Sequence, residues 1–442
     1  MRATALKLNP LYVIILVVLL TSCSGPGASL DSESIAETEA AMTLSPQMTV
    51  QPPALLTPVA TFESSSELRL WLSWDARDLP VMDRVIQLFA AEYPNVLIRV
   101  TYVRESELIS SLRDAPYGEG PTVFLGSSDL GPGLWDNGRI QELGDLVSSE
   151  LHTDILPIAW SQAVYEGQVV GIPMSLEGVL LYRNRDLVLT PAEDVNELVS
   201  TSISLANQGL AIGSALDFGF LFSVSQLQAC DGAIYAADDT MGFAGDTGRC
   251  WLQLVKRLSE SGRVTINTDV DQDLFVSGES AWLIDLAENA PRLIDAIGED
   301  NLAIDNWPIY EVTQESMGGF VWTESAFIPV GITPTETATA WSFISFMLTP
   351  QVQLLLADPN GAWHIPVLDD LELENGLQIQ VTESLMQGIP LPLKSSLTQC
   401  AMGLENAVRL VAQQGADPIL GLYVLVADLA PFFPMVDATP EG

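Results

Sequence analysis

Apolar and polar positions alternate in ELRLWL, Glu67 to Leu72, so that Leu68, Leu70 and Leu72 share one face. That spacing predicts a β-strand ending near Ser73. The rhythm then changes: in VMDRVIQLFAAEYP, Val81, Val85, Ile86, Leu88 and Phe89 recur at helical spacing, and the helix stops before Pro94. VLIRVTYV returns to a strand, completing a β-α-β opening that predicts a parallel sheet with a right-handed crossover. PTVFLGSS is a third strand, nearly continuous in apolar residues as buried parallel strands are. QVVGIPMSLEGVLLYRN reads as two short strands around Pro173. FVSGESAWLIDLAENAPRLI, Phe275 to Ile294, reads as a helix end, a turn at Gly278-Glu279, a strand and another helix. In TETATAWSFISFMLTPQVQLLLAD, Ala340, Trp341, Ile344, Phe346, Met347 and Leu348 form a helical core face, and Thr349-Pro350 caps a second helix. Strands and helices alternate throughout, without a fixed-period repeat.

One apolar run stands apart near the N-terminus. LYVIILVVLL, Leu11 to Leu20, follows Arg2 and Lys7, and no acidic residue occurs in the first 30 positions. A membrane-spanning helix needs about 20 apolar residues, whereas a signal-peptide core needs about 7–15. Leu20-Thr21-Ser22-Cys23 resembles the lipobox of bacterial lipoproteins. That resemblance implies a signal peptide over 1–22 and a diacylglyceryl group on Cys23, attaching the chain to the membrane through an N-terminal lipid anchor. The alternatives are a short signal anchor, or a plain secretory signal with an incidental cysteine. Residues 23–66 are rich in Ser, Thr, Pro, Ala and Glu, with Phe62 the one aromatic. Such a stretch reads as a disordered tether, with a root-mean-square span of roughly 35–40 Å.

From Glu67 onward the composition is globular, and the length suits two lobes better than one core. The chain has 57 acidic residues against 18 lysines and arginines, a net charge of −39. Loss of Arg2 and Lys7 with a signal would deepen it. This excludes nucleic acid and anionic membrane surfaces as partners, but it names no ligand. Cys230 and Cys250 enclose a loop whose closure by a disulfide would stabilise by about 3 kcal/mol; otherwise they are small buried apolar residues, the reading given to Cys400. No zinc-type cysteine spacing is present, and no cofactor is expected.

Several segments in order resemble the bacterial extracellular solute-binding proteins of the maltodextrin-binding type. They are the lipobox, the strand-helix-strand opening, FLGSSD followed by GLWDNGRIQEL, AVYEGQVVGIPMSLEGVLLYRN, LFVSGESAWLI, GGFVWTESAFIPV, AWSFISFMLTPQVQLLL and WHIPV. The resemblance extends over roughly residues 67–430. It implies an α/β fold, the two-lobe periplasmic-binding-protein type II fold, with a ligand cleft at the hinge. Lobe 1 is expected over 67–173 and 318–358, and lobe 2 over 174–317 and 359–435. It further implies a monomer that closes on a small-molecule solute, a carbohydrate, and docks on the transmembrane subunits of an ABC permease at the outer face of the cytoplasmic membrane.

The resemblance also marks ligand-contact positions. Trp74 and Asp75 follow the first strand, and a ring beside a carboxylate suits a sugar. Ser127, Ser128 and Asp129 follow the third, and Glu177 lies near the crossover. Asp217 and Phe218 fall on a second-lobe loop, Asp285 ends a strand, and Trp322 is an aromatic-platform candidate. Glu288 stands where maltodextrin-binding relatives carry a tryptophan, as does a position near Glu405, which weakens maltodextrin itself as the ligand. A cleft this acidic would also attract a polyamine. Phosphate or carboxylate ligands are disfavoured, since these loops lack convergent arginines.

Rival classes are weaker. With two histidines, His152 and His364, and no GxSxG or HExxH motif, the sequence offers no catalytic constellation beyond paired carboxylates of the glycosidase kind. NTDVDQD, Asn267 to Asp273, lacks the glycine and glutamate of a calcium loop and reads as an acidic helix start. A sensory lipoprotein without a transporter shares every feature named above.

Overall fold

The computed structural model describes residues 66–433, apart from Asp75, Ala76, Tyr117 and Leu210. Cys23, and the segments read as signal and tether up to residue 65, therefore lie outside the described residues. In β1 (Ser66–Leu72) the alternation does what it predicts: Leu68, Leu70 and Leu72 are fully buried. Burial of each leucine side chain stabilises by about 1.5–3 kcal/mol. Helix α1 (Leu79–Glu92) carries Pro80 in its first turn and buries Met82, Val85 and Phe89 along one side. β2 (Val96–Tyr102) returns parallel to β1, and β3 (Val123–Ser127) pairs parallel on the other edge of β1.

The segment around Pro173 departs from expectation. In place of two short strands about the proline it holds a two-residue strand, Gln168–Val169, and one 13-residue strand, β4 (Ile172–Asn184), that runs through the proline. Pro173 is its second residue and faces Ser325 where the ladder register slips. A missing N–H is tolerated at a strand start or a bulge, so the proline does not end the strand.

β4 links two regions of sheet. β5 (Ser214–Asp217) pairs parallel with β6 (Gly262–Thr265). β7 (Trp282–Leu286) and β8 (Leu302–Asp305) both lie antiparallel to the second half of β4. β9 (Phe320–Phe327) lies antiparallel to the first half of β4 and to β3. The backbones approach closely where the partners change. A Cβ on Gly178 would stand 2.8 Å from the Phe320 carbonyl oxygen, and one on Gly319 would stand 2.1 Å from that of Val179. Only glycine fits there.

Two apolar cores pack against these strands. The first joins β1, β3, α1 and the helices Pro334–Met347 and Pro350–Leu356. Trp363, Ile365 and Val367 also pack in it, as do Phe275, Leu283, Leu293 and Leu302. The second core gathers Trp251, Phe243, Phe218 and Trp282 with the helices Leu397–Val408 and Pro418–Leu429. Within it a disulfide joins Cys230 to Cys250, with Cα atoms 5.9 Å apart, and Cys400 is buried and unbridged. β4 and β8 are further tied by a buried ion pair: Arg183 Nε donates to Asp305 at 2.8 Å, and the Trp282 indole donates to the same carboxylate at 3.3 Å. Among the described residues no helix is long and apolar enough to cross a membrane.

Candidate ligand-binding site

Directly opposed residues of neighbouring strands stand on one face of a sheet. Glu324 of β9 is opposite Ser127 of β3 on one side and Ser175 of β4 on the other, and Trp322 is opposite Glu177. The paired stretch of β3, β9 and β4 therefore presents Ser127, Ser175, Glu177, Trp322 and Glu324 together. Trp74, just beyond β1, joins them: its Nε1 donates to Glu324 Oε1 at 3.2 Å. Ser175 Oγ donates to Glu177 Oε1 at 3.2 Å. His364 completes the group, its ring 4.3 Å from that of Trp74 at a 33° tilt.

The electrostatics follow from burial. Removal from water disfavours a carboxylate's charge, and neighbouring carboxylates add to the effect. Burial pushes Glu324 up to about 8, against the opposing hydrogen bond from Trp74. Glu177 is pushed well above the usual carboxylate range, first by burial and then by the Glu288 and Glu324 charges. Burial holds His364 down at about 4, with the Arg77 guanidinium acting the same way. At neutral pH Glu324 and His364 are therefore held largely neutral, able both to donate and to accept hydrogen bonds. The Nε2 of His364 is buried without a hydrogen-bond partner, a condition that costs about 1–3 kcal/mol.

Arg77 spans outward from this group. Its Nε donates to Asp78 Oδ1 at 3.2 Å, and its Nη1 reaches the Glu288 carbonyl at 3.4 Å. The loop before α1 is thus tied to the turn after β7.

The remaining sequence candidates are placed differently. Ser128 points away from the nest and is buried; its Oγ donates to Gln162 Oε1 at 3.2 Å and accepts from the Thr323 N–H at 3.3 Å, pinning β3 to β9. Asp129 lines a cavity of about 360 Å³ with Arg113, Arg139 and Lys394, so the fold brings cations beside it that the loop sequences alone do not contain. Asp217 and Asp285 end the strands β5 and β7 and are each 3% exposed. Asp285 Oδ1 accepts from Leu286 N at 2.8 Å and from Asn289 Nδ2 at 3.0 Å, and burial raises its carboxyl to about 6. Asp217 Oδ1 accepts from Gly219 N at 2.5 Å. Phe218 is a core residue, 3% exposed. Asp75 lies outside the described residues. A larger hollow of about 760 Å³, between α1 and segment 372–378, holds none of these residues and no aromatic side chain.

Sequence reasoning missed Glu324, His364, Ser175 and Asp78. Glu324 was within reach, because it lies two residues beyond Trp322 in a strand and must share its face. His364 comes from a remote loop and carries no local signal.

Known proteins agree with this architecture. Residues 84–380 match the family model described as bacterial extracellular solute-binding protein. The maltotriose-binding protein of Pyrococcus abyssi is 20% identical over 327 residues, covering 70% of this chain and 68% of the relative. The GacH receptor of Streptomyces glaucescens superposes with a TM-score of 0.73 at 15% identity, covering 84% of this chain and 99% of that one. The maltose/maltodextrin-binding domain MalE of Bdellovibrio bacteriovorus gives a TM-score of 0.69 at 18% identity, covering 83% and 99%. The fold is the type II periplasmic-binding fold, and the chain belongs to the bacterial extracellular solute-binding protein family.

Proposed function

We propose that the chain captures a neutral, polyhydroxylated solute, a carbohydrate, where β4 and β9 pair, and delivers it to an ABC permease without catalysis. One observation carries the reading. Glu177, Trp322 and Glu324 share one face of the paired β4 and β9, with the Trp74 indole bound to Glu324. Indole faces stack on the apolar faces of sugar rings, and carboxyl groups exchange hydrogen bonds with hydroxyls. The maltotriose-binding relative supports the class.

A polyamine is the second reading, favoured by the count of carboxylates around His364. Burial works against it. Burial raises both Glu177 and Glu324, Glu324 to about 8, so the nest offers a polycation less charge than its composition suggests. A thermal-shift screen of neutral oligosaccharides and polyamines separates the two, because a ligand raises the melting point by mass action. Stabilisation by a sugar is expected; stabilisation by polyamines alone would sink the carbohydrate reading. Cys23 is proposed as the lipid anchor, and Cys23→Ser should move the protein from the membrane fraction to the soluble one. Retention of that variant in the membrane would remove the anchor from the account.

A further inference from the structure

We propose that His364 is a solute contact that sets specificity, seating one hydroxyl of the solute between its Nε2 and the carboxylate of Asp78. The inference rests on the carbohydrate reading and refines it.

The backbone holds His364 in place from both sides. Trp363 adopts φ 59, the left-handed region, while buried to 2% exposure. A bulky residue rarely occupies that region unless its surroundings impose it. Next to it, His364 N donates to the Leu356 carbonyl at 3.0 Å, and Leu176 N donates to the Ile365 carbonyl at 2.8 Å. The second bond ties the loop to β4 one residue from Glu177. The result is an imidazole fixed against Trp74 in the middle of the nest.

The ring is nevertheless unsatisfied. Nε2 has no hydrogen-bond partner, and its nearest acidic atom, Asp78 Oδ2, is 4.0 Å away. On the other side Nδ1 stands 4.0 Å from Glu177 Oε1. Neither distance is a hydrogen bond. A single oxygen about 2.8 Å from both atoms of a pair would bridge it, given the space that Nε2, closed to solvent here, gains only when the cleft opens.

The chemistry selects the occupant. Neutral imidazole offers one donor and one acceptor, and a hydroxyl offers both as well. A sugar hydroxyl can donate to Asp78 and accept from Nε2–H, or donate to Nε2 where the other tautomer is present. A protonated amine only donates, so it suits the tautomer with a bare Nε2 and fails the one with Nε2–H, whereas a hydroxyl suits both. The groups facing the imidazole are Arg77 and Asp78 from the loop before α1, Glu177 from β4, and Glu288 and Glu324 close by. Nε2 is closed to solvent in this conformation, so the hydroxyl enters when the lobes part and is enclosed as they meet.

His152 and His364 are the chain's two histidines, which makes the test direct. The full chain labelled with ¹⁵N-histidine is titrated with maltotriose, a panel of other neutral oligosaccharides, and spermidine, while melting points are recorded in parallel. His364→Gln assigns the resonances. A sugar that raises the melting point should move the His364 ring nitrogens and leave those of His152 in place. Affinity for it should fall about 10–100-fold in His364→Leu and stay within about tenfold of wild type in His364→Gln, which keeps a donor and an acceptor. A sugar that stabilises the protein without moving the His364 resonances, or that binds His364→Leu as well as wild type, overturns the inference and leaves the carbohydrate reading standing. If no sugar stabilises the chain, or spermidine alone does, the carbohydrate reading fails and this inference with it.

Discussion

Replacing Glu324 by glutamine tests whether the nest holds neutral carboxyl groups. Burial raises this carboxyl from the ordinary 4.5 to about 8. The folded chain then keeps the proton up to about pH 8, while the unfolded chain releases it near 4.5. Between those values the folded state binds more protons, so stability is fully present below about pH 4.5 and is lost as pH rises through 8. Each pH unit of displacement corresponds to about 1.4 kcal/mol, which sets a ceiling of about 5 kcal/mol. Hydration of a partly opened cleft relieves some of this, leaving an effect of roughly 2–5 kcal/mol. For a folded region of this length, 1 kcal/mol moves Tm by roughly 1–2 °C. Glutamine keeps an acceptor for the Trp74 indole and carries no charge at any pH. The assay is Tm from pH 5 to 9 for both proteins. Glu324→Gln should match the wild type near pH 5 and exceed it by about 3–8 °C near pH 9. The wild type itself should lose stability with rising pH, with Asp271, raised to about 7 chiefly by burial, adding to the slope. A difference between the two proteins that stays flat across this range would refute the argument.

Other perturbations probe the frame around the site. Reducing the Cys230–Cys250 disulfide, or replacing both cysteines by serine, should cost about 3 kcal/mol, read as a lower denaturant midpoint. Asp305→Ala leaves Arg183 buried without its partner and should destabilise by about 3–5 kcal/mol in the same assay; a loss under 1 kcal/mol would mean that water replaces the carboxylate. Ser128→Ala should cost about 1–3 kcal/mol, because it strands the Thr323 N–H, while solute affinity changes little. A large affinity loss with unchanged stability would instead place Ser128 at the ligand.

Much of the first lobe was legible because its strands and helices obey one period each. Leu68, Leu70 and Leu72 read as a buried row and are one. Pro173 misled, because its effect depends on ladder position: at the start of β4, beside a register slip, its missing N–H costs little. The site was half legible. Trp74, Glu177 and Trp322 could be picked out from the family resemblance, and the sheet brings them together. Local sequence could not show that Ser127 faces the nest while Ser128 faces the packed side, since one residue of register decides it. Nor could it show His364 stacking on Trp74, a contact across 290 positions that only the complete fold creates.

The central claim is most directly tested by a crystal structure of the protein grown with an oligosaccharide that raises its Tm. The expected result is a sugar ring against the Trp74 indole, with hydroxyls bound by Glu177 and Glu324 on the paired strands β4 and β9. A sugar held instead in the hollow beside α1, with Trp74 and Glu324 still bonded only to each other, would contradict it.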